Sequence, residues 1–263
     1  MKKNIIITSG PTNERIDSVM KITNMSTGAL GSIVADEILR EHDSELGKLF
    51  YISPKLAYKP KTESGKLEIV TIDSTLELLE ALKKLLTTID IDTVVHSAAV
   101  GDYYGEYTIT GEMLAREIAQ KVHKKDLSVE ELNQLVLRII ENPASLTDNM
   151  GKISSYEKNL MVKLGLTPKV IGHIKEYSPD TKLIGFKLLD GVPKEELVDV
   201  ASKLLVKNDA DYIVANDLSQ IGNGMHPALI INREGIFTEC STKKEIAKVL
   251  SKTIFEPQNK QGK

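Results

Sequence analysis

The sequence predicts an α/β protein built on a doubly wound, mostly parallel sheet. Short apolar runs rich in Ile, Val and Leu recur at 4–8, 49–52, 67–71, 92–96, 182–187 and 211–215. Strands buried on both faces of a parallel sheet read in this way. Helical patterns fill the intervals between the runs. After the first run a polar, glycine-bearing loop opens a helix, so that backbone N–H groups and the helix dipole face an anion. Together these features give a Rossmann-like sheet with a helical insertion and a small β-arm.

The elements follow in order. Ile5-Ile6-Ile7 runs into a Ser-Gly-Pro turn. Leu30, Ile33, Val34 and Ile38 then recur at helical spacing. Ser74-Thr-Leu-Glu77 reads as a capping box opening a helix over 75–89. Pro193 suits the first turn of a helix over 193–207. Ser241 or Thr242 caps a last helix reaching about 254, and the polar tail 257–263 reads as frayed. Segment 105–150 breaks the rhythm with helical patterns at 110–122 and 129–141, the second opened by the capping box Ser128-Val-Glu-Glu131. It reads as an insertion serving as a lid, a cap or a dimer element. Residues 157–164 alternate with period two, which gives a strand in a flap-and-arm segment over 151–166. The whole chain is expected to form one α/β domain with these additions.

Composition narrows the function. The chain has 263 residues, 41% hydrophobic and only 5% aromatic, so its core must be aliphatic. A net charge of −3 argues against a general nucleic-acid binder. One cysteine, Cys240, excludes an internal disulfide framework and fits a reducing compartment. The apolar start is too short for a signal segment and no run is long enough to span a membrane, so a cytoplasmic protein is expected. The five histidines show no metal-ligand spacing, and Cys240 reads as the end of a strand rather than a nucleophile.

Two stretches carry chemistry, Thr8-Ser-Gly-Pro-Thr12 and Asn24-Met-Ser-Thr-Gly28-Ala-Leu-Gly31. The dinucleotide fingerprint and the P-loop pattern are both missing: no glycine follows Gly10 until Gly28. Gly28 lets the backbone approach an anion, Ser26 and Thr27 add hydroxyls, and Gly31 lets the helix pack close to the sheet. An ordinary helix start, capped by Ser26 or Thr27, is the plainer reading. Asp102, Phe186, Lys187, Asn216 and Asp217 fall at or just past predicted strand ends, where open α/β sheets bind ligands. Their plainer readings are turn residues and, for Phe186, core packing.

The string Ile7-Thr-Ser-Gly-Pro-Thr-Asn-Glu-Arg-Ile-Asp17 with Ile22-Thr-Asn-Met-Ser-Thr-Gly-Ala-Leu-Gly31 resembles phosphopantothenate–cysteine ligases. Ser97-Ala-Ala-Val-Gly-Asp-Tyr103, Gly151-Lys-Ile-Ser-Ser155, Gly185-Phe-Lys187 and Ala215-Asn-Asp217 resemble later blocks of that family, in order, from about residue 5 to about 254. The resemblance implies a ligase that joins 4'-phosphopantothenate to L-cysteine through an acyl-nucleotide, in coenzyme A biosynthesis. It implies Asn24 and Lys152 as catalytic residues. Gly10, Ser26, Thr27, Gly28, Gly31, Phe186, Lys187, Asn216 and Asp217 would bind nucleotide, and Asn24, Ala98, Ala99 and Asp102 the substrate. Asp102 would also hold Mg2+ beside CTP or ATP, with CTP favoured. The family builds each site from two subunits, so a homodimer is implied, with 157–164 as a contact. The blocks begin near the first residue, so the resemblance implies a stand-alone form, without the flavin-dependent decarboxylase fused ahead of the ligase in many bacterial versions.

Two departures stand out. Met20 occupies the place of a family Arg expected to meet the substrate phosphate, with Lys21 and Arg15 nearby. Ser155 replaces a second flap lysine. Two other functions fit the sequence less well. A nicotinamide-dependent reductase lacks its glycine fingerprint, and the one Tyr-x-x-x-Lys spacing, Tyr51 to Lys55, contains Pro54, which spoils a helix. A non-catalytic nucleotide-binding regulator would not need Asn24, Asp102 and Lys152 together.

Overall fold

A computed structural model describes residues 2–148 and 151–256. The tail expected to fray, 257–263, lies outside the described residues. The chain forms two compact units. One comprises Met1–Thr12, Asn24–Val100 and Pro168–Lys263, the other Asn13–Thr23 and Gly101–Thr167.

The first unit holds every strand expected from the apolar runs. These are β1 (Lys3–Thr8), β4 (Leu46–Pro54), β5 (Leu67–Ile72), β6 (Thr93–His96), β9 (Lys182–Leu189) and β10 (Tyr212–Asp217). All six pair in parallel. Two further strands add an antiparallel edge: β11 (Ala228–Asn232), which no expected run marks, and β12 (Phe237–Cys240), which ends at Cys240 as expected. The sheet order is β12-β11-β10-β9-β6-β1-β4-β5. Numbered among themselves from the β5 edge, the parallel strands run 3-2-1-4-5-6. That is the doubly wound order, with its switch point between β1 and β6.

The two faces of the sheet follow the period-two rule. Ile6, Phe50, Val94, Leu183 and Ile213 point to one side. There they meet Leu78 and Leu82 of helix α2 (Thr75–Thr88), Ile174 of α5 (Val170–Tyr177) and Ala201 of α6 (Lys194–Lys207). Ile5, Ile7, Leu49, Val95, Ile184 and Val214 point to the other. They meet Val34 and Ile38 of α1 (Ala29–Glu41) and Ile246 and Leu250 of α7 (Lys243–Phe255). The core is mainly aliphatic on both sides, with Phe50 on one and Tyr51 and Phe255 on the other. Leu82 is fully buried, so its truncation to Ala costs about 2–5 kcal/mol.

The caps follow the sequence with small changes. Ser74 accepts from the Glu77 N–H, while the Glu77 carboxylate takes the N–H of Asp73. Thr242 caps α7. Pro193 stands at the N-cap of α6, one residue before its first turn.

The second unit corrects the expected insertion. Segment 105–150 does not begin as a helix, because β7 (Tyr103–Thr110) crosses its start. Tyr103, Tyr107, Thr108, Ile109 and Thr110 are the aromatic and β-branched residues that a strand favours. The strand expected at 157–164 begins at Leu160 as β8 (Leu160–Leu166) and pairs antiparallel with β7. The arm is therefore one strand of a two-stranded antiparallel sheet, with two helices between its strands in sequence. Helices α3 (Gly111–Val122) and α4 (Val129–Glu141) are the two expected, and Ser128 and Glu131 form the full capping box. Tyr107, Ile109, Leu114 and Ile139 make a small separate core. A short hairpin of β2 (Asn13–Arg15) and β3 (Lys21–Thr23) completes the unit.

Candidate active site

In the first unit the site residues gather at the carboxyl ends of β1 and β6. Beyond Thr8 and His96 the two chains stay stitched together. Ser97 N–H donates to the Thr8 carbonyl at 3.1 Å and Ala99 N–H to the Gly10 carbonyl at 2.9 Å. The main chains of Ala98 and Ala99 thus line the switch point, with both side chains half-buried. Asn24 reaches the same strip. Its Nδ2 donates to the Val100 carbonyl at 3.1 Å and to that of Ala99 at 3.3 Å.

The loop before α1 has no ordinary cap. Gly28 is the N-cap, with φ +77°, and no side chain caps the helix. The plainer alternative, Ser26 or Thr27 as an ordinary cap, does not hold. Thr27 Oγ1 accepts only from the Ala29 N–H, at 3.3 Å. The left-handed backbone at Gly28 directs the loop against the β1 turn, where an added Cβ would lie 3.0 Å from the Gly10 N. The Ser9 hydroxyl donates to the Gly28 carbonyl at 3.0 Å and holds this geometry. At Gly31 an added Cβ would stand 2.7 Å from Ser9 Cβ and 2.8 Å from Ser97 Oγ. Only glycine lets α1 approach so closely, and its N-terminus carries no side-chain cap.

Two supports escaped the sequence reading. The segment after β4 folds over the loop: Tyr58 N–H donates to the Thr27 carbonyl at 2.9 Å, and Ala57 packs over Gly10 and Gly28. Nothing in its composition marks it. The other is His96, buried beneath the switch point and hydrogen-bonded to Thr8 Oγ1 at 2.9 Å. Burial lowers its pKa to about 4, so it stays neutral near pH 7.

The expected strand ends need refinement. Phe186 and Lys187 do not end β9, which continues to Leu189. Gly185 pairs with His96, so Phe186 and Lys187 lie level with the chain just past β6. The Phe186 ring packs partly against the core on the α1 and α7 side. Asn216 and Asp217 end β10 and are buried. Asn216 Nδ2 donates to the Pro227 carbonyl at 2.7 Å. Asp217 accepts from the N–H groups of Gly191 and Ser219 and from the side chains of Ser219 and Gln220. The bond from Gly191 is the main reason its pKa is lowered. Both side chains brace the loops that border the sheet edge.

In the second unit, Asp102 is exposed just before β7, and its carbonyl accepts from the Thr167 N–H at 3.1 Å. Lys152 is exposed beside the buried Ile153. Asp17 sits below it, 4% exposed, and takes the Ile153 N–H at 2.9 Å. Asp17 has no role in the sequence analysis; its signal is its place at the end of the first string that carries the family resemblance, Ile7 to Asp17. Lys21 is engaged with Asn13 Oδ1 at 2.6 Å. Met20 is 41% exposed at the turn. Among the described residues no group of three or more His, Cys, Asp or Glu side chains could hold a metal by itself.

Tyr51 speaks against the reductase. It lies in strand β4, not on a helix, and donates from its hydroxyl to the Tyr58 carbonyl at 2.9 Å. Burial pushes its pKa up to about 12, the wrong direction for a proton donor. Burial likewise raises the Cys240 thiol, contrary to the needs of a nucleophile. Among the described residues no helix is long and apolar enough to cross a membrane.

A doubly wound sheet in the order 3-2-1-4-5-6, with a glycine loop at its switch point, defines a protein of Rossmann-like fold. The chain belongs to the family described as DNA/pantothenate metabolism flavoprotein C-terminal domain, whose profile matches residues 1–142 and 142–257. It is 27% identical over 232 residues to the coenzyme A biosynthesis bifunctional protein CoaBC of Thermococcus kodakarensis, covering 88% of this chain and 45% of that protein. The CoaBC protein of Methanocaldococcus jannaschii is 25% identical, over 92% of this chain and 48% of its own length. The chain therefore spans about half the length of these curated relatives. Among solved structures, the DNA/pantothenate metabolism flavoprotein from Streptococcus pneumoniae is 35% identical with a TM-score of 0.74, covering 96% of this chain and 98% of that one. The C-terminal domain of a CoaBC protein, 22% identical with a TM-score of 0.63 over 96% of this chain and 93% of that one, shares the fold.

Proposed function

We propose that this protein is a phosphopantothenate–cysteine ligase of coenzyme A biosynthesis. The observation that carries the reading is the Asn24 amide, held on the Ala99–Val100 strip beside the glycine loop. The family match over both halves of the chain supports it.

A carboxylate is a poor acyl donor because oxide is a bad leaving group. Transfer of a nucleotidyl group to the 4'-phosphopantothenate carboxylate releases pyrophosphate. The cysteine amine then attacks the acyl carbon and expels the nucleoside monophosphate. The chain's own part is to bind, orient and neutralise charge. Gly10, Ser26, Thr27, Gly28 and Gly31 receive the phosphates. Phe186 and Lys187 meet the nucleotide from the adjacent strand, and Asn216 and Asp217 shape the loops around it. Asn24 anchors the acyl-nucleotide, and the main chains of Ala98 and Ala99 border the substrate. Lys152 neutralises charge that develops during transfer.

Mg2+ suits the oxygen chemistry of a triphosphate, and the exposed carboxylate of Asp102 is the residue that would hold it. Its contribution is to offset phosphate charge. CTP is the favoured nucleotide, with ATP the other. The active form is a homodimer in the cytoplasm, with β8 as a contact element.

A side-by-side assay of pyrophosphate release with CTP and ATP, with and without 4'-phosphopantothenate, tests the reading. Release that needs the carboxylate substrate and is faster with CTP is the expected result. Release indifferent to that substrate contradicts it. Sedimentation at micromolar protein gives a dimer mass; a fully active monomer removes the dimer.

A further inference from the structure

We propose that Asp17 is a positioning residue for Lys152, clamping the root of the Lys152 segment onto the β2–β3 turn. The inference rests on the ligase reading of Lys152 but adds a residue to it. All of its parts lie within the second unit.

The geometry is that of a two-ended clamp. Asp17 Oδ1 accepts from the N–H groups of Val19 at 2.7 Å and Met20 at 2.6 Å. Its Oδ2 accepts from the Ile153 N–H at 2.9 Å. The main chain adds a parallel tie, Ser18 N–H to the Gly151 carbonyl at 3.4 Å. One carboxylate thus holds a turn and a distant segment, 136 positions apart in sequence. Lys152 lies between the two tied residues, Gly151 and Ile153. Ile153 is itself buried, at 5% exposure, so the segment is seated by packing as well as by hydrogen bonds.

A plain Asx turn explains only half of this. The bonds to Val19 and Met20 would shape the turn alone. The bond to Ile153 has no role in the turn and acts only on the Lys152 segment. The N–H groups of Met20, Ile153 and Val19, in that order, and then the Lys152 charge hold the Asp17 carboxyl below its usual value. A lysine on a main chain tied at the residues on both sides of it has fewer positions to sample. Fewer positions mean less lost when it must meet developing charge.

The carboxylate is chemically required. Asn has one acceptor oxygen and one N–H2 donor. In Asp17→Asn that oxygen can serve the Val19–Met20 turn or Ile153, but not both. The substitution is nearly isosteric and keeps the packing. Ile153→Pro attacks the same clamp from the other side, because it removes the N–H and leaves Asp17 intact.

The test combines kinetics with proteolysis. Turnover of the full chain is measured for Asp17→Asn, Ile153→Pro, Lys152→Gln and the Asp17→Asn/Lys152→Gln double variant. Trypsin cleavage of the Lys152–Ile153 bond is followed for the wild type and Asp17→Asn. The expected result is a loss of turnover of about tenfold or more in each clamp variant, with nucleotide KM moved far less. The double variant should be no slower than Lys152→Gln alone, and cleavage should quicken several-fold in Asp17→Asn. A merely structural role would instead multiply the two losses. Full turnover in both clamp variants, a multiplied loss in the double variant, or unchanged cleavage overturns the proposal. If Lys152→Gln itself keeps full turnover, the ligase role of Lys152 falls. The cleavage rate then still judges the clamp.

Discussion

The Asn24 side chain spans a loop and a strand end: its Nδ2 donates to the Val100 carbonyl at 3.1 Å while its own backbone leads into the Gly28 turn. The amide is thereby fixed to the strip that follows β6, at the switch point of the sheet. A residue with a donor and an acceptor but no charge is well suited to hold an acyl phosphate.

Asn24→Asp should therefore separate the two half-reactions. The carboxylate is nearly isosteric, but it cannot donate to the Val100 carbonyl and it repels phosphate. The acyl-nucleotide should still form slowly and be held badly. Quenched samples should show pyrophosphate running ahead of amide. Equal loss of both, with no intermediate at any time, makes Asn24 a loop-shaping residue only.

Lys152→Gln should lower turnover by about a hundredfold, equivalent to about 3 kcal/mol of transition-state stabilisation, with a weaker effect on nucleotide affinity. Single-turnover kinetics and equilibrium nucleotide binding separate the two. A variant with wild-type turnover has lost nothing that the reaction uses.

Gly31→Ala should weaken nucleotide binding by moving α1 off the sheet. The new Cβ meets Ser9 Cβ at 2.7 Å and Ser97 Oγ at 2.8 Å, so the helix start must shift. Overpacking of this kind costs about 1–3 kcal/mol of stability. Chemical denaturation measures that cost, and titration calorimetry the lost affinity. An unmoved nucleotide Kd would mean that the close approach of α1 is not needed for binding.

His96 predicts a pH dependence of stability. Its pKa falls from 6.5 to about 4 on burial, so between those values the unfolded chain binds a proton that the folded one does not. Stability should thus decline as pH drops from 6.5 toward 4, by about 3 kcal/mol in all from this group. His96→Asn should be less stable near neutrality but flatter over that window. Urea unfolding at a series of pH values reads the slope; identical slopes in the two proteins would remove His96 as its source.

Much of this architecture is legible in the chain because burial on both faces leaves a simple mark. Ile5-Ile6-Ile7, Val94-Val95 and Ile213-Val214 are short β-branched runs in segments flanked by turn or polar residues, which read as inner strands, and the helices between them follow. The antiparallel edge is harder. Leu229-Ile230-Ile231 carries the same apolar mark, but it joins its neighbours by turns and so lacks the βα rhythm. The short α5 has no side-chain cap to announce it. The β2–β3 hairpin is three residues on each side, all polar but Ile22, too short for any period to show.

The site divides in the same manner. Gly28 and Gly31 could be read because glycine has a backbone reason to be there. Phe186, Lys187, Asn216 and Asp217 were placed on the right strands, but the extension of β9 and β10 past β6 depends on register, which no local pattern encodes. Asp17 was invisible as a clamp because its partner, Ile153, is brought to it only by folding.

The most direct test of the central claim is product analysis. Purified protein is incubated with 4'-phosphopantothenate, L-cysteine, Mg2+ and CTP or ATP, quenched, and assayed by mass spectrometry for phosphopantothenoylcysteine beside pyrophosphate. The account predicts amide and pyrophosphate in equal amounts, each dependent on the carboxylate substrate and on nucleotide. No amide with either nucleotide, from folded protein that binds them, would contradict it.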